Sequence, residues 1–155
     1  MDEIAIYNFI FFFSEMRAIF EFIEKLQHVP FWMRCNPKIS TGYDYTPAML
    51  WIRHVKTEPE KWMRHDPKLQ NKFGQTLAML WIDYFRTEPP EWMRHDPTIK
   101  DDYGQTLAMK WVLFFETEPP EWMRHNPNIR NGIGNTLSSF WRIYVRSEIP
   151  KWMKL

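Results

Sequence analysis

Nine tryptophans fall on two ladders of one spacing: Trp32, Trp62, Trp92, Trp122 and Trp152 on the first, Trp51, Trp81, Trp111 and Trp141 on the second, with thirty residues to each step. A fixed period of this length marks a chain built from stacked repeats, none of which buries its apolar face alone. Cutting the sequence at the turn gives four full units, 36–65, 66–95, 96–125 and 126–155. The second and third are identical at 19 of 30 positions. Residues 6–35 keep only Ala18, Pro30, Trp32, Met33 and Arg34 of the pattern, so 1–35 reads as an N-terminal helical cap with a degenerate first repeat. The four full units are expected to form one continuous domain.

Each unit is legible locally. In 96–125, Asp96-Pro97 opens a turn and Gly104 closes it. Thr106 then stands where an N-cap belongs, as do Thr46, Thr76 and Thr136. Leu107, Trp111, Phe114 and Phe115 come next at helical spacing. Thr117-Glu118-Pro119-Pro120 ends that helix, because the residue before a proline is driven out of the α region. Pro120 suits the first turn of a second, short helix through Glu121–His125. The expected class is all-α: helix, tight turn, short helix, long loop.

The N-terminal apolar run, Ile4 to Phe13, is about half of the roughly 20 residues that a bilayer span requires. Glu15, Arg17, Glu21 and Glu24 place charges in the stretch immediately after it, and Asp2 and Glu3 are acidic where a signal peptide is basic. No membrane span is expected. Phe9, Phe12, Phe13, Met16, Ile19, Phe20, Ile23 and Leu26 instead trace one face of a buried helix.

The run Asp96-Pro97-Thr98-Ile99-Lys100-Asp101-Asp102-Tyr103-Gly104-Gln105-Thr106-Leu107-Ala108 resembles the turn and first helix of the ankyrin repeat, and Thr46-Pro47 reproduces that family's Thr-Pro. The resemblance covers residues 36–155 in four copies. It implies an ankyrin-like helix-turn-helix repeat solenoid with finger-like turns along one edge and a protein-binding role. The chain departs from the family in its shorter period, in Met49, Met79, Met109 and Ser139 where the family has histidine, and in a second helix cut short by Pro-Pro. A different helical-pair solenoid is the alternative fold.

Chemistry is hard to place on repeated positions. His65, His95 and His125, with Cys35 at the equivalent place, sit on successive units, and helices stacked about 8–10 Å apart cannot share one ion among equivalent positions. No metal site or other cofactor is expected. Glu58, Glu88, Glu118 and Glu148 recur at a turn, where a structural pairing with the recurrent Arg64, Arg94 and Arg124 explains them better than catalysis. No phosphate loop, nucleophile elbow or paired-carboxylate motif is present, so no catalytic residue and no enzyme are expected. A lone cysteine excludes an intramolecular disulfide and points to a reducing, intracellular (cytoplasmic) compartment. The tryptophans and recurrent arginines also invite a nucleic-acid platform, but a net charge of +1 offers little counterion release, so nucleic acid ranks third. Both tryptophan ladders are read as core between units.

The leading expectation is a non-catalytic scaffold or adaptor with a protein partner. Such a partner is read by positions that differ between units: Lys68, Gln70 and Lys72, then Thr98, Lys100 and Asp102, then Asn128, Arg130 and Gly132 in the turns. Tyr43, Phe73 and Tyr103 stand at the turn tips, while Arg53, Asp83, Leu113 and Ile143 vary on the first helix. Charge is uneven as well, with nine acids and four bases in residues 83–121 and six bases and one acid in residues 124–155. The alternative is a structural subunit of a homo-oligomer or larger assembly. It is favoured by the apolar N-terminal helix and by a last unit that ends without a polar capping helix and leaves Trp141, Trp152 and Leu155 in need of cover.

Overall fold

Helices shorter than about 12–15 residues are marginal on their own in water, and each helix of this protein with assigned bounds is shorter than that. The computed structural model describes Glu21, Ile23, residues 36–38, Ser40 and residues 43–154. Four α-helices recur at the repeat spacing: α1 Pro47–His54, α2 Leu77–Phe85, α3 Leu107–Phe115 and α4 Leu137–Phe140, the last continuing as a π-helical turn, Trp141–Val145. Among the described residues there is no strand, only an isolated antiparallel bridge between Lys100 and Thr106. No helix among them is long and apolar enough to cross a membrane. The chain divides into two compact units, Met1–His65 and Asp66–Leu155, and the division falls on a repeat boundary.

Of the expected N-terminal stripe, Ile23 is helical and fully buried, and Glu21, outside the stripe, is helical and exposed. The other members of that stripe lie outside the described residues.

The threonine N-caps stand where the spacing places them. Thr46, Thr76, Thr106 and Thr136 take extended backbone, and each hydroxyl accepts from the amide three residues on. The recurrent histidine completes this cap from nineteen residues away. Nε2 of His65, His95 and His125 lies 2.8, 2.9 and 2.7 Å from the Oγ1 of Thr46, Thr76 and Thr106. In His95 and His125, Nδ1 bonds the carbonyl of the next residue at 2.8 Å, so Nδ1 carries the proton and Nε2 accepts the threonine hydroxyl. The chain Met109 N–H to Thr106, Thr106 O–H to His125, His125 N–H to Asn126 ties the start of a repeat to its end.

The second element is shorter than its composition implies. It is a single 310 turn of three residues, Lys61–Met63, Glu91–Met93, Glu121–Met123 and Lys151–Met153, with Pro120 outside it as the N-cap. Two interactions stop it. Arg64, Arg94 and Arg124 take extended backbone and pair with Glu58, Glu88 and Glu118 at 2.9, 3.4 and 3.4 Å, as Lys154 does with Glu148 at 2.7 Å. The histidine then folds back onto its threonine.

Packing separates the two tryptophan ladders. Trp51, Trp81 and Trp141 are buried, and the indole N–H of Trp51, Trp81 and Trp111 donates to Thr57, Thr87 and Thr117 at 2.9, 3.0 and 3.2 Å. Trp81 stacks on Phe85 with ring centroids 3.9 Å apart, and Trp111 on Phe115 at 4.0 Å. The other ladder is not core: Trp62, Trp92, Trp122 and Trp152 are half-buried, and the neighbouring Met63, Met93, Met123 and Met153 fill the interior. Trp122 and Trp152 lie instead at an inter-repeat edge. Their N–H groups donate to Glu88 and Glu118 of the preceding repeat, under the guanidinium groups of Arg94 and Arg124 at 5.3 and 5.1 Å.

Within 66–155, α2 packs on α3 and α3 on α4. Ala78, Met79 and Ile82, and likewise Ala108, Met109 and Val112, are wholly buried. The same three places in the last repeat hold Ser138, Ser139 and Arg142, half-buried or exposed. The last helix therefore presents a polar face where the others present an apolar one. Trp141, expected to need cover, is buried, and Trp152 is half-buried.

Burial holds the imidazoles of His95 and His125 below the ordinary histidine value, opposed in part by their bonds to the Asp96 and Asn126 carbonyls. Between the depressed folded value and the unfolded value of about 6.5, the unfolded chain binds more protons, so this contribution to stability is complete above about pH 6.5 and is lost as pH falls through the folded value. Thermal denaturation should give a lower midpoint at about pH 5 than at about pH 7.5, and the difference should shrink in a His95→Gln, His125→Gln variant.

Candidate functional site

The long loop between repeats is closed by one buried side chain. Oδ1 of Asn71 accepts from the amides of Phe73 and Gln75 at 3.0 and 2.9 Å; Asp101 and Asn131 hold Tyr103 with Gln105, and Ile133 with Asn135, in the same way. All three are buried. The chain then turns through Gly74, Gly104 and Gly134 at φ of 70°, 71° and 86°; Asp44, at 57°, holds the same place in repeat 36–65. In 66–155, successive loops join backbone to backbone. The Asp102 amide donates to the Phe73 carbonyl at 3.0 Å, and the Gly132 amide to the Tyr103 carbonyl at 2.8 Å.

This construction turns one side chain per loop outward at a fixed place. Phe73, Tyr103 and Ile133 are 44, 76 and 82% exposed, and Tyr43 holds the corresponding place in its own unit at 60%. Ile133 escapes sequence reasoning because it is neither aromatic nor polar, although its spacing from Tyr103 marks it. Tyr84, Ile143 and Tyr144 are further exposed apolar side chains, on the helices.

The variable positions divide into two groups. Lys68, Thr98 and Asn128 are exposed, their amides held by the side chains of Asp66, Asp96 and Asn126 at 3.0, 2.9 and 3.0 Å, and Lys72, Asp102 and Gly132 are exposed beside the tips. Gln70, Lys100 and Arg130 are exposed but turn along the loop edge. The Gln70 amide nitrogen donates to the Lys100 carbonyl at 2.8 Å and the Lys100 ammonium to the Arg130 carbonyl at 2.9 Å, while Arg130 donates to the Gly134 carbonyl at 2.8 Å. The first two bonds fasten one repeat to the next. Arg53 is exposed in its unit with its guanidinium 5.5 Å from the Tyr45 ring.

Asp83 does not point outward. It is half-buried and lies 3.3 Å from the ammonium of Lys110, which is also 3.3 Å from Asp101. Burial raises the Asp83 carboxyl above the ordinary carboxylate value against the pull of Lys110. The cluster spans two repeats, and its charges are not repeated at the equivalent positions: Leu50, Leu80 and Phe140 stand where Lys110 does, and Asn71 and Asn131 where Asp101 does. Among the described residues, no three His, Cys, Asp or Glu side chains gather where a metal ion would sit. No protein-family model, no curated protein and no solved structure matches this chain.

Removing one partner of a buried ion pair leaves uncompensated charge and costs about 3–5 kcal/mol, whereas an apolar replacement of the whole set is often neutral or better. Lys110→Ala should therefore lower stability in urea unfolding by about 3–5 kcal/mol. Asp83→Leu, Asp101→Asn and Lys110→Leu together, which copy residues that other repeats carry at these or similar places, should return it to wild type or above.

Proposed function

We propose that this chain is a non-catalytic protein-binding scaffold or adaptor, built as an ankyrin-like solenoid. The observation that carries this reading is the set of loop tips. Phe73, Tyr103 and Ile133 are large apolar side chains held out by loops whose buried Asx residues and mutual backbone bonds fix their spacing. A rigid row of this kind meets a partner at low conformational cost, and its aromatic members are of the type enriched at hot spots. Buried polar groups of the same unit serve internal contacts: histidine with threonine, Asx with loop amides, Lys110 with two aspartates. That division of labour favours binding over catalysis.

The subunit reading loses one of its two supports, because Ser138, Ser139 and Arg142 give the last helix a polar face. Its other support, the N-terminal helix, falls mostly outside the described residues.

A Phe73→Ser, Tyr103→Ser variant tests the proposal. Exposed substitutions usually change stability by less than about 0.5 kcal/mol, so the variant should melt with wild type. In affinity capture from the native source, proteins retained by wild type should be lost from the variant. Equal capture by both proteins would remove the tips from the account.

A further inference from the structure

The last repeat differs from the others in what its helix offers to the outside. Thr136, Ser138, Ser139, Arg142, Ile149, Met153 and Lys154 line an open groove of about 490 Å³. In the two preceding repeats the positions equivalent to Ser138, Ser139 and Arg142 are apolar and wholly buried. Exchange of Ala-Met for Ser-Ser, and of Ile or Val for Arg, converts a stacking face into a polar one.

The groove also has donors to offer. In the preceding repeats the cap threonine gives its hydroxyl proton to a histidine. Residue 155 is leucine, and Thr136 Oγ1 lies 3.1 Å from Ser139 Oγ instead. One of these two hydroxyls donates to the other, which leaves the second proton for a ligand acceptor. The exposed Arg142 adds a fork of N–H groups suited to a carboxylate, and Lys154 also lines the groove, paired with the exposed Glu148 at 2.7 Å. Charge follows the same division. Repeat 126–155 carries five Lys and Arg against one Glu, while repeat 96–125 carries six Asp and Glu against three Lys and Arg.

We propose that this groove binds an acidic segment of a protein partner, with carboxylates held by Arg142, Lys154 and the Thr136–Ser139 hydroxyls. The proposal rests on the protein-binding reading but uses a different surface from the loop tips. An acidic peptide fits better than a nucleic acid because the groove's lining contains no aromatic ring on which a base stacks.

The probe is a fluorescein-labelled oligo-glutamate peptide, followed by anisotropy on the full chain at low salt and at physiological salt. Wild type should bind, and Arg142→Glu should weaken binding about tenfold or more, as loss of a charge-assisted bidentate contact implies. Arg130→Glu makes the same change of net charge outside the groove and should bind like wild type, as should Phe73→Ser with Tyr103→Ser. No binding to wild type overturns the proposal. Equal losses from Arg142→Glu and Arg130→Glu overturn it in favour of diffuse charge, and a single-stranded oligonucleotide of matched charge that binds equally well overturns the choice of ligand. If the groove fails while the tip variant still loses its captured partner, the protein-binding reading stands without it.

Discussion

One buried side chain in each of the three repeats of 66–155, Asn71, Asp101 or Asn131, sets the geometry on which the rest depends. By accepting two amides of its own loop, it closes a turn too irregular to be held by a helix or sheet. The closed loop carries the chain into the left-handed region at a glycine and then into the extended threonine that starts the next helix. It also brings neighbouring loops close enough for backbone to meet backbone, and a Cβ on Gly74 or Gly104 would collide with the main chain of the following loop. Register between repeats and direction of the tip side chains thus share one cause.

Strain is accepted elsewhere for the same end. Arg86, Glu116 and Arg146 end their helices in the left-handed region, where a non-glycine residue costs about 1–2 kcal/mol. The reversal this produces lets the following Thr-Glu-Pro segment serve the helix. Thr87 and Thr117 accept from the tryptophan indoles, and Glu88 and Glu118 reach the arginines and the next repeat's tryptophan. Arg86 contributes a contact of its own, its guanidinium lying 3.7 Å over the Phe114 ring.

Contacts inside one repeat are legible from sequence because their spacing is short and recurs. The threonine caps and the pairing of glutamate with arginine belong here, and so does the all-helical class. Contacts between repeats are not, for two physical reasons. Gln70 and Lys100 do one job, bonding the next loop's carbonyl, with side chains that look unrelated, so variation there resembles a partner surface. Lys110 meets Asp83 across a helix interface that no spacing reveals, although a lysine where other repeats carry Leu50, Leu80 and Phe140 is a visible departure. The second tryptophan ladder misleads through composition. Large aromatics at a fixed period read as core, yet methionine beside them fills the interior and the indoles lie at an edge.

The close approach of successive loops is tested most directly by two alanines. Gly104 and Gly134 both have left-handed φ, so backbone strain enters each substitution alike. A Cβ on Gly104 would stand 2.5 Å from the Gly132 amide nitrogen, whereas one on Gly134 meets nothing within 4 Å. Urea unfolding of Gly104→Ala and Gly134→Ala should therefore show Gly104→Ala the less stable by about 1–3 kcal/mol, the usual cost of forcing atoms into packed structure. Equal losses would contradict the account, since loops that tolerate an added methyl there would not be in backbone contact and would not fix the tips.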